Sequence, residues 1–119
     1  MFRRKIYDRL LQWKEESQGR TALLIEGARR VGKSTVVEEF GKREYESYIL
    51  IDFSTASRTV KELFQDLSDL NFFFLQLQLQ YRVDLTERRS LIIFDEVQLF
   101  PLARQAVKAL VKDGRYDYI

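Results

Sequence analysis

The stretch Gly27-Ala28-Arg29-Arg30-Val31-Gly32-Lys33-Ser34 has residue types and spacing suited to one task, wrapping the oxygens of a polyphosphate. It follows the apolar run Ala22-Leu23-Leu24-Ile25 and precedes a helix-like segment over residues 35–40. That is the strand–loop–helix setting that the pattern G-x-x-x-x-G-K-[ST], the P-loop, requires. Phosphate oxygens carry dense negative charge, so the loop must turn several backbone N–H groups inward. Gly27 and Gly32 allow that approach because they have no Cβ. The helix that follows, with Thr35 in its first turn, offers unpaired N–H groups and its positive dipole end to the same anion. Lys33 supplies a mobile charge for the β- and γ-phosphates, and the Ser34 hydroxyl suits Mg²⁺. The competing reading is a glycine-rich turn that matches by accident.

A second segment weighs against accident. Leu91-Ile92-Ile93-Phe94-Asp95-Glu96 is an unbroken apolar run ending in two acids, the pattern of a central parallel strand covered on both faces. Open α/β sheets bind ligands beyond the carboxyl ends of their strands, where these acids would lie. Asp95 is the expected Mg²⁺ partner of Ser34, directly or through water. Glu96 is the expected general base toward an attacking water. An acid pair at a strand end is ordinary alone; beside a P-loop it is half of a site.

Composition sets the bounds. The chain has 119 residues, enough for one small domain with a core. With 45% hydrophobic and 32% charged residues it reads as globular rather than disordered. A net charge of +2 is too mild to argue for nucleic-acid binding. The absence of cysteine and histidine excludes disulfides and the usual zinc sites, and fits a reducing compartment. The basic start Met1-Phe2-Arg3-Arg4-Lys5 leads into no apolar signal region, and no stretch is long enough to span a bilayer. A cytoplasmic protein without membrane contact is the expectation.

The elements that would position the acids and the loop can be read in order. Over residues 4–16, Ile6, Leu10 and Trp13 recur at i, i+4 and i+7 with Tyr7 and Leu11 alongside, giving an amphipathic helix that packs on the sheet. An adenine pocket using Trp13 or Tyr7 is the alternative. Ser17-Gln18-Gly19 closes that helix. A strand over residues 20–26 enters the loop, and a helix over residues 33–42, ended by Gly41, leaves it. Arg29 and Arg30 read as exposed spacers, or as extra charge near phosphate or a nucleic-acid partner.

Residues 48–53 read as a second apolar strand, with Ser54 or Thr55 capping a helix over residues 56–67. Asp52 could face the crevice at the site, but such an acid is more often a capping or solvated group, and that is the reading. Residues 69–83 are ambiguous, since Leu75 to Tyr81 alternates like a strand while Leu70, Phe73, Phe74, Leu77 and Tyr81 form a helical stripe. Helix is the reading, because no antiparallel partner is evident and Leu and Gln favour helix. Phe72, Phe73 and Phe74 suit the core or a partner interface. Residues 84–89 form a charged loop. Gln98 lies within reach of the acid-bearing edge, toward the γ-phosphate region. Pro101 opens a helix with Ala103, Ala106, Val107, Leu110 and Val111 inward, which Gly114 ends. Residues 115–119 begin another strand.

With the loop at 27–34 and Phe94-Asp95-Glu96-Val97-Gln98 in hand, the sequence resembles a family of prokaryotic AAA-type P-loop ATPases, whose members show a G-x-R-x-x-G-K-[ST] loop and a D-E-[IV]-Q strand end. The resemblance covers nearly the whole chain. It implies a three-layer α/β/α P-loop NTPase fold with a mostly parallel sheet in AAA-like order, the loop-bearing strand lying beside the one that begins near Tyr116. It implies ATP and Mg²⁺, with Lys33 on the phosphates, Ser34 and Asp95 at the metal and Glu96 at the water. Family members are longer, adding a sensor residue, a fifth strand, a helical lid and a nuclease-like C-terminal domain. Residues 1–119 are therefore expected to be the N-terminal part of such a domain, with weak or absent turnover. An uncovered sheet edge leads to an expected homo-oligomer or domain-swapped dimer. The alternative function is a nucleotide-binding or assembly module that does not hydrolyse. A small-molecule kinase is disfavoured by the water-activating Glu96, and nucleic-acid partners rest on the resemblance alone.

Overall fold

The computed structural model describes residues 2–23 and 33–119, with backbone alone at residues 2–4, 33 and 34. Its elements are α1 (Phe2–Ser17), α2 (Lys33–Glu44), β1 (Ser47–Asp52), α3 (Arg58–Leu63), α4 (Leu70–Tyr81), β2 (Ser90–Asp95), a 3-10 turn (Val97–Leu99), α5 (Pro101–Asp113) and β3 (Asp117–Tyr118). The strands form a parallel sheet in the order β1-β2-β3, with Ser47 opposite Ser90, Asp52 opposite Asp95 and Ile92 opposite Tyr118.

Strand alternation builds two apolar layers. Ile49, Ile51 and Phe53 point with Ile92 and Tyr118 toward α3, α4 and α5, joining Val60, Phe64, Phe73, Phe74, Leu77, Ala103, Ala106 and Leu110. Leu91 and Ile93 point the other way, toward Leu10 of α1 and Val36, Val37 and Phe40 of α2. The result is α/β/α, as the uninterrupted apolar strands required. Among the described residues no helix is long and apolar enough to cross a membrane.

The residues before the loop lie against β3. The Leu23 N–H donates to the Tyr118 carbonyl at 3.1 Å, while the Ile119 N–H donates to Ile92 at 3.1 Å. This matches the expected neighbour of the strand near Tyr116. Residues 20–23 themselves form turn and irregular backbone, and residues 24–32 lie outside the described residues.

Some local expectations need correction. Gly41 does not end a helix, since α2 continues to Glu44. A Cβ at Gly41 would come 3.1 Å from Tyr48 and 3.3 Å from Leu91, so glycine is there to let α2 approach the sheet. The helix expected over residues 56–67 is only α3, and its cap is Ser57, whose hydroxyl accepts from the Val60 N–H at 3.2 Å. Ser54 and Thr55 instead fold back on Asp52. Leu11 faces outward, at 37% exposure. The ambiguous segment is helical: Asp69 caps α4 by accepting from the Phe72 N–H, Phe73 and Phe74 are buried, and Phe72 is exposed. The Leu–Gln alternation arises because Leu77 faces the core while Leu75 and Leu79 face solvent.

Tyrosine hydroxyls tie the layers together. Tyr7 donates to Glu44 at 2.9 Å, joining α1 to α2, and Tyr48 donates to Glu38 at 2.7 Å, joining β1 to α2. Burial, then the Glu38 carboxylate, pushes the Tyr48 hydroxyl up to about 12. All six tyrosines are shifted upward, each mainly by burial. The fold thus favours neutral phenol, whereas unfolded tyrosine ionises near pH 10. Their contribution to stability is complete below about pH 10 and is lost as pH climbs through about 12. An alkaline titration should show tyrosinate absorbance and helical circular dichroism changing together; tyrosinate forming freely in an intact fold would contradict this.

Candidate functional site

The carboxyl edge of the sheet carries three acids. Asp52 ends β1 and Asp95 ends β2, directly opposite each other, and Glu96 follows. The Phe53 N–H donates to the Asp95 carbonyl at 3.0 Å, extending the pairing past the strand ends. Asp52 is committed to a turn: its Oδ1 accepts from the Ser54 N–H at 2.9 Å and the Ser54 hydroxyl at 2.6 Å. It caps no helix, since Ser57 caps α3. Asp95 and Glu96 are half-buried.

Glu96 has φ 56 and ψ 38, a left-handed backbone. For a residue with a Cβ this conformation costs about 1–2 kcal/mol. It turns the chain from β2 into the 3-10 turn, where the Leu99 N–H donates to the Glu96 carbonyl at 3.0 Å. Gln98 Nε2 donates to Glu96 Oε1 at 2.6 Å. Gln98 was expected near the edge, and its contact among the described residues is the glutamate carboxylate. The sequence carried no sign of this bond, which depends on the tight turn between the two residues.

The direction of α2 follows from its connection. Only Tyr45 and Glu46 separate α2 from β1, so the C-terminal end of the helix lies at the start of that strand. Gly41 sits on Tyr48 and Leu91, an in-register pair at that same end. With Val36, Val37 and Phe40 against the sheet, the helix runs antiparallel to the strands. From Gly41 back to Lys33 it rises about 12 Å, and from Leu91 forward to Asp95 the strand rises about 13 Å. The first turn of α2 therefore comes level with the acid-bearing edge. Lys33 and Ser34 open that turn, and Thr35 is exposed in it. Gly27, Ala28, Arg29, Arg30, Val31 and Gly32, and the side chains of Lys33 and Ser34, lie outside the described residues.

Tyr7 and Trp13, the alternative adenine contacts, pack instead with the α1–α2 core. The Tyr7 ring meets Phe40 edge-on at 5.6 Å. At the opposite, amino edge of the sheet lies a network that sequence reading did not anticipate. Asp117, 4% exposed, accepts from the Tyr45 hydroxyl and from Arg88 Nη2, the latter at 2.6 Å. Each of the three residues stands at or just before the start of a different strand.

Among the described residues no group of three or more histidines, cysteines or acids could hold a metal unaided. Asp95 nonetheless fits Mg²⁺, a hard cation that takes one or two carboxylates and completes its shell with phosphate oxygens and water.

A parallel sheet with helices on both faces, a helix directed back toward an acid-tipped strand, and the loop-preceding residues bonded to β3 together define a P-loop NTPase-type α/β fold. Residues 19–119 match the family described as AAA domain, and the chain belongs to it. That membership carries a nucleotide-binding, ATPase-like function. No curated protein and no solved structure matches the chain significantly. The match begins after the end of α1, although Leu10 of that helix belongs to the core it shares with α2.

Proposed function

We propose that the chain binds ATP with Mg²⁺ and hydrolyses it to ADP and phosphate. The observation that carries this reading is the antiparallel course of α2, which brings the Lys33 end of the helix level with Asp95 and Glu96. In this reading the residues from Gly27 to Gly32 surround the phosphates with backbone N–H groups, and Thr35 extends that cradle. Lys33 neutralises the β- and γ-oxygens. Ser34 and Asp95 would hold Mg²⁺, whose charge stabilises the leaving phosphate oxygens when bound. Glu96 takes a proton from the water that attacks the γ-phosphorus, while the bond to the β–γ bridging oxygen breaks and ADP departs.

One observation favours the second reading, a nucleotide-binding module without turnover: Gln98 occupies one oxygen of the proposed base. Phosphate release separates the two. Assembly with further copies, and nucleic-acid partners of a longer protein, belong to this proposal only as family-level expectations.

The test is thermal stabilisation by ATP, GTP and ADP, each with and without Mg²⁺. ATP with Mg²⁺ should raise the melting temperature by several degrees, as ligand in excess of its Kd stabilises by mass action. Lys33→Ala should abolish the shift without lowering the melting temperature of the free protein. An equal shift in parent and variant would remove the lysine from the site.

A further inference from the structure

The acid-bearing strand turns sharply at Glu96, and the turn brings Gln98 back onto that residue. In an extended chain Asp95 and Glu96 would point to opposite faces of the sheet. Glu96 instead takes φ 56 and ψ 38, a left-handed conformation that glycine adopts without steric cost. Gln18 and Arg82 adopt positive φ just past the ends of α1 and α4, an ordinary place for it. Glu96 ends a strand and no helix. Backbone strain kept at such a place points to the chemistry of the side chain that bears it.

Two bonds close the turn. The Leu99 N–H donates to the Glu96 carbonyl at 3.0 Å and fixes the backbone, while Gln98 Nε2 donates to Glu96 Oε1 at 2.6 Å and fixes the side chain. An ionised carboxylate only accepts, so the amide must turn its N–H side toward it. Such a carboxylate has about four acceptor sites, and this bond uses one. Gln98 itself is exposed and belongs to neither apolar core, so packing does not require it.

We infer that Gln98 is a positioning residue for Glu96, its amide holding the carboxylate in the orientation from which it takes a proton from water. The inference rests on the hydrolytic reading above, in which Glu96 is the base. A base oriented by a third group is a recurring arrangement in acid–base sites. Without the donor, the carboxylate keeps its place on the backbone but turns about its side-chain bonds, and it spends less time in the productive geometry.

The experiment measures phosphate release by the whole chain in a single turnover, with ATP affinity determined separately. Gln98→Ala should slow release about tenfold to a hundredfold, less than loss of the base itself. Affinity and melting temperature should be unchanged, since the side chain is exposed. Gln98→Glu has the same shape without a donor, and should slow release at least as much. In a chain already carrying Glu96→Gln, adding Gln98→Ala should have no further effect, because residues that act as a unit are not additive. A readout that needs no nucleotide is the Gln98 side-chain amide in a proton–nitrogen NMR spectrum, identified by its loss in Gln98→Ala. Glu96→Ala should move that resonance toward those of free glutamine amides. A parent slowed by Glu96→Gln but unaffected or quickened by Gln98→Ala overturns the inference and leaves the base in place. Additive effects of the two substitutions, or a Gln98 resonance indifferent to Glu96→Ala, overturn it likewise. A parent that releases no phosphate, or is not slowed by Glu96→Gln, overturns the hydrolytic reading and the role of Gln98 with it.

Discussion

Glu96→Gln should hold ATP as the parent chain does and release phosphate about a hundred to ten thousand times more slowly in a single turnover, the usual worth of a positioned general base. The substitution is chosen because it leaves the surroundings intact. An amide oxygen can still accept from Gln98 Nε2, so the 2.6 Å bond and the turn it closes can persist. The left-handed backbone at this position is unchanged, since glutamine and glutamate strain it alike. What the amide lacks is basicity toward water. The two readings of the site then separate. Binding retained with turnover lost identifies Glu96 as the base, whereas equal phosphate release from parent and variant excludes it from that role. If the parent itself binds nucleotide but releases no phosphate, the non-hydrolysing module is the correct reading.

The second large effect is on stability and lies at the far edge of the sheet. Asp117→Ala should cost about 3–5 kcal/mol, the range for removing one member of a buried charged pair. The Asp117 carboxylate is nearly inaccessible, and two groups depend on it. The Tyr45 hydroxyl would lose its acceptor within the core, and the Arg88 guanidinium would keep its position over Gly19 without its counter-charge. Solvent reaches Arg88, whose side chain is 40% exposed, so the lower end of the range is expected. Against a typical total of about 5–15 kcal/mol, this is a large share. Urea denaturation should register it as a lower midpoint at constant slope. Tyr45→Phe, which removes one hydrogen bond to a charged group and leaves the ion pair, should cost about half as much. A loss below about 1 kcal/mol for Asp117→Ala would mean that water or a shifted side chain takes over its role.

Wherever the physics was local, the sequence was readable. The alternation of Ile49, Leu50 and Ile51, and of Leu91, Ile92 and Ile93, announced strands buried on both faces, and each set divides between the two cores. Pro101 and Gly114 bracket α5 because one suits a first turn and the other adopts φ 83. The helical stripe of α4 outweighed the competing alternation. What escaped was decided across the chain. Gly41 looks like a terminator until Tyr48 and Leu91 are brought beneath it. Three hydroxyls could have capped α3, and Asp52 settled the choice by engaging Ser54 and Thr55. Nothing near Asp117 in sequence reveals that its partners lie 72 and 29 residues away. At the site, the acid pair was plain from residue types, while the Gln98 bond required the turn geometry.

The two-residue strand β3 has a consequence of its own. It stands between β2 and the backbone at Leu23, so the loop-bearing segment and the acid-tipped strand are separated by one intervening strand. Two inter-strand spacings amount to about 9.5 Å. That interval is set by backbone pairing, so side-chain substitutions along these strands leave it unchanged.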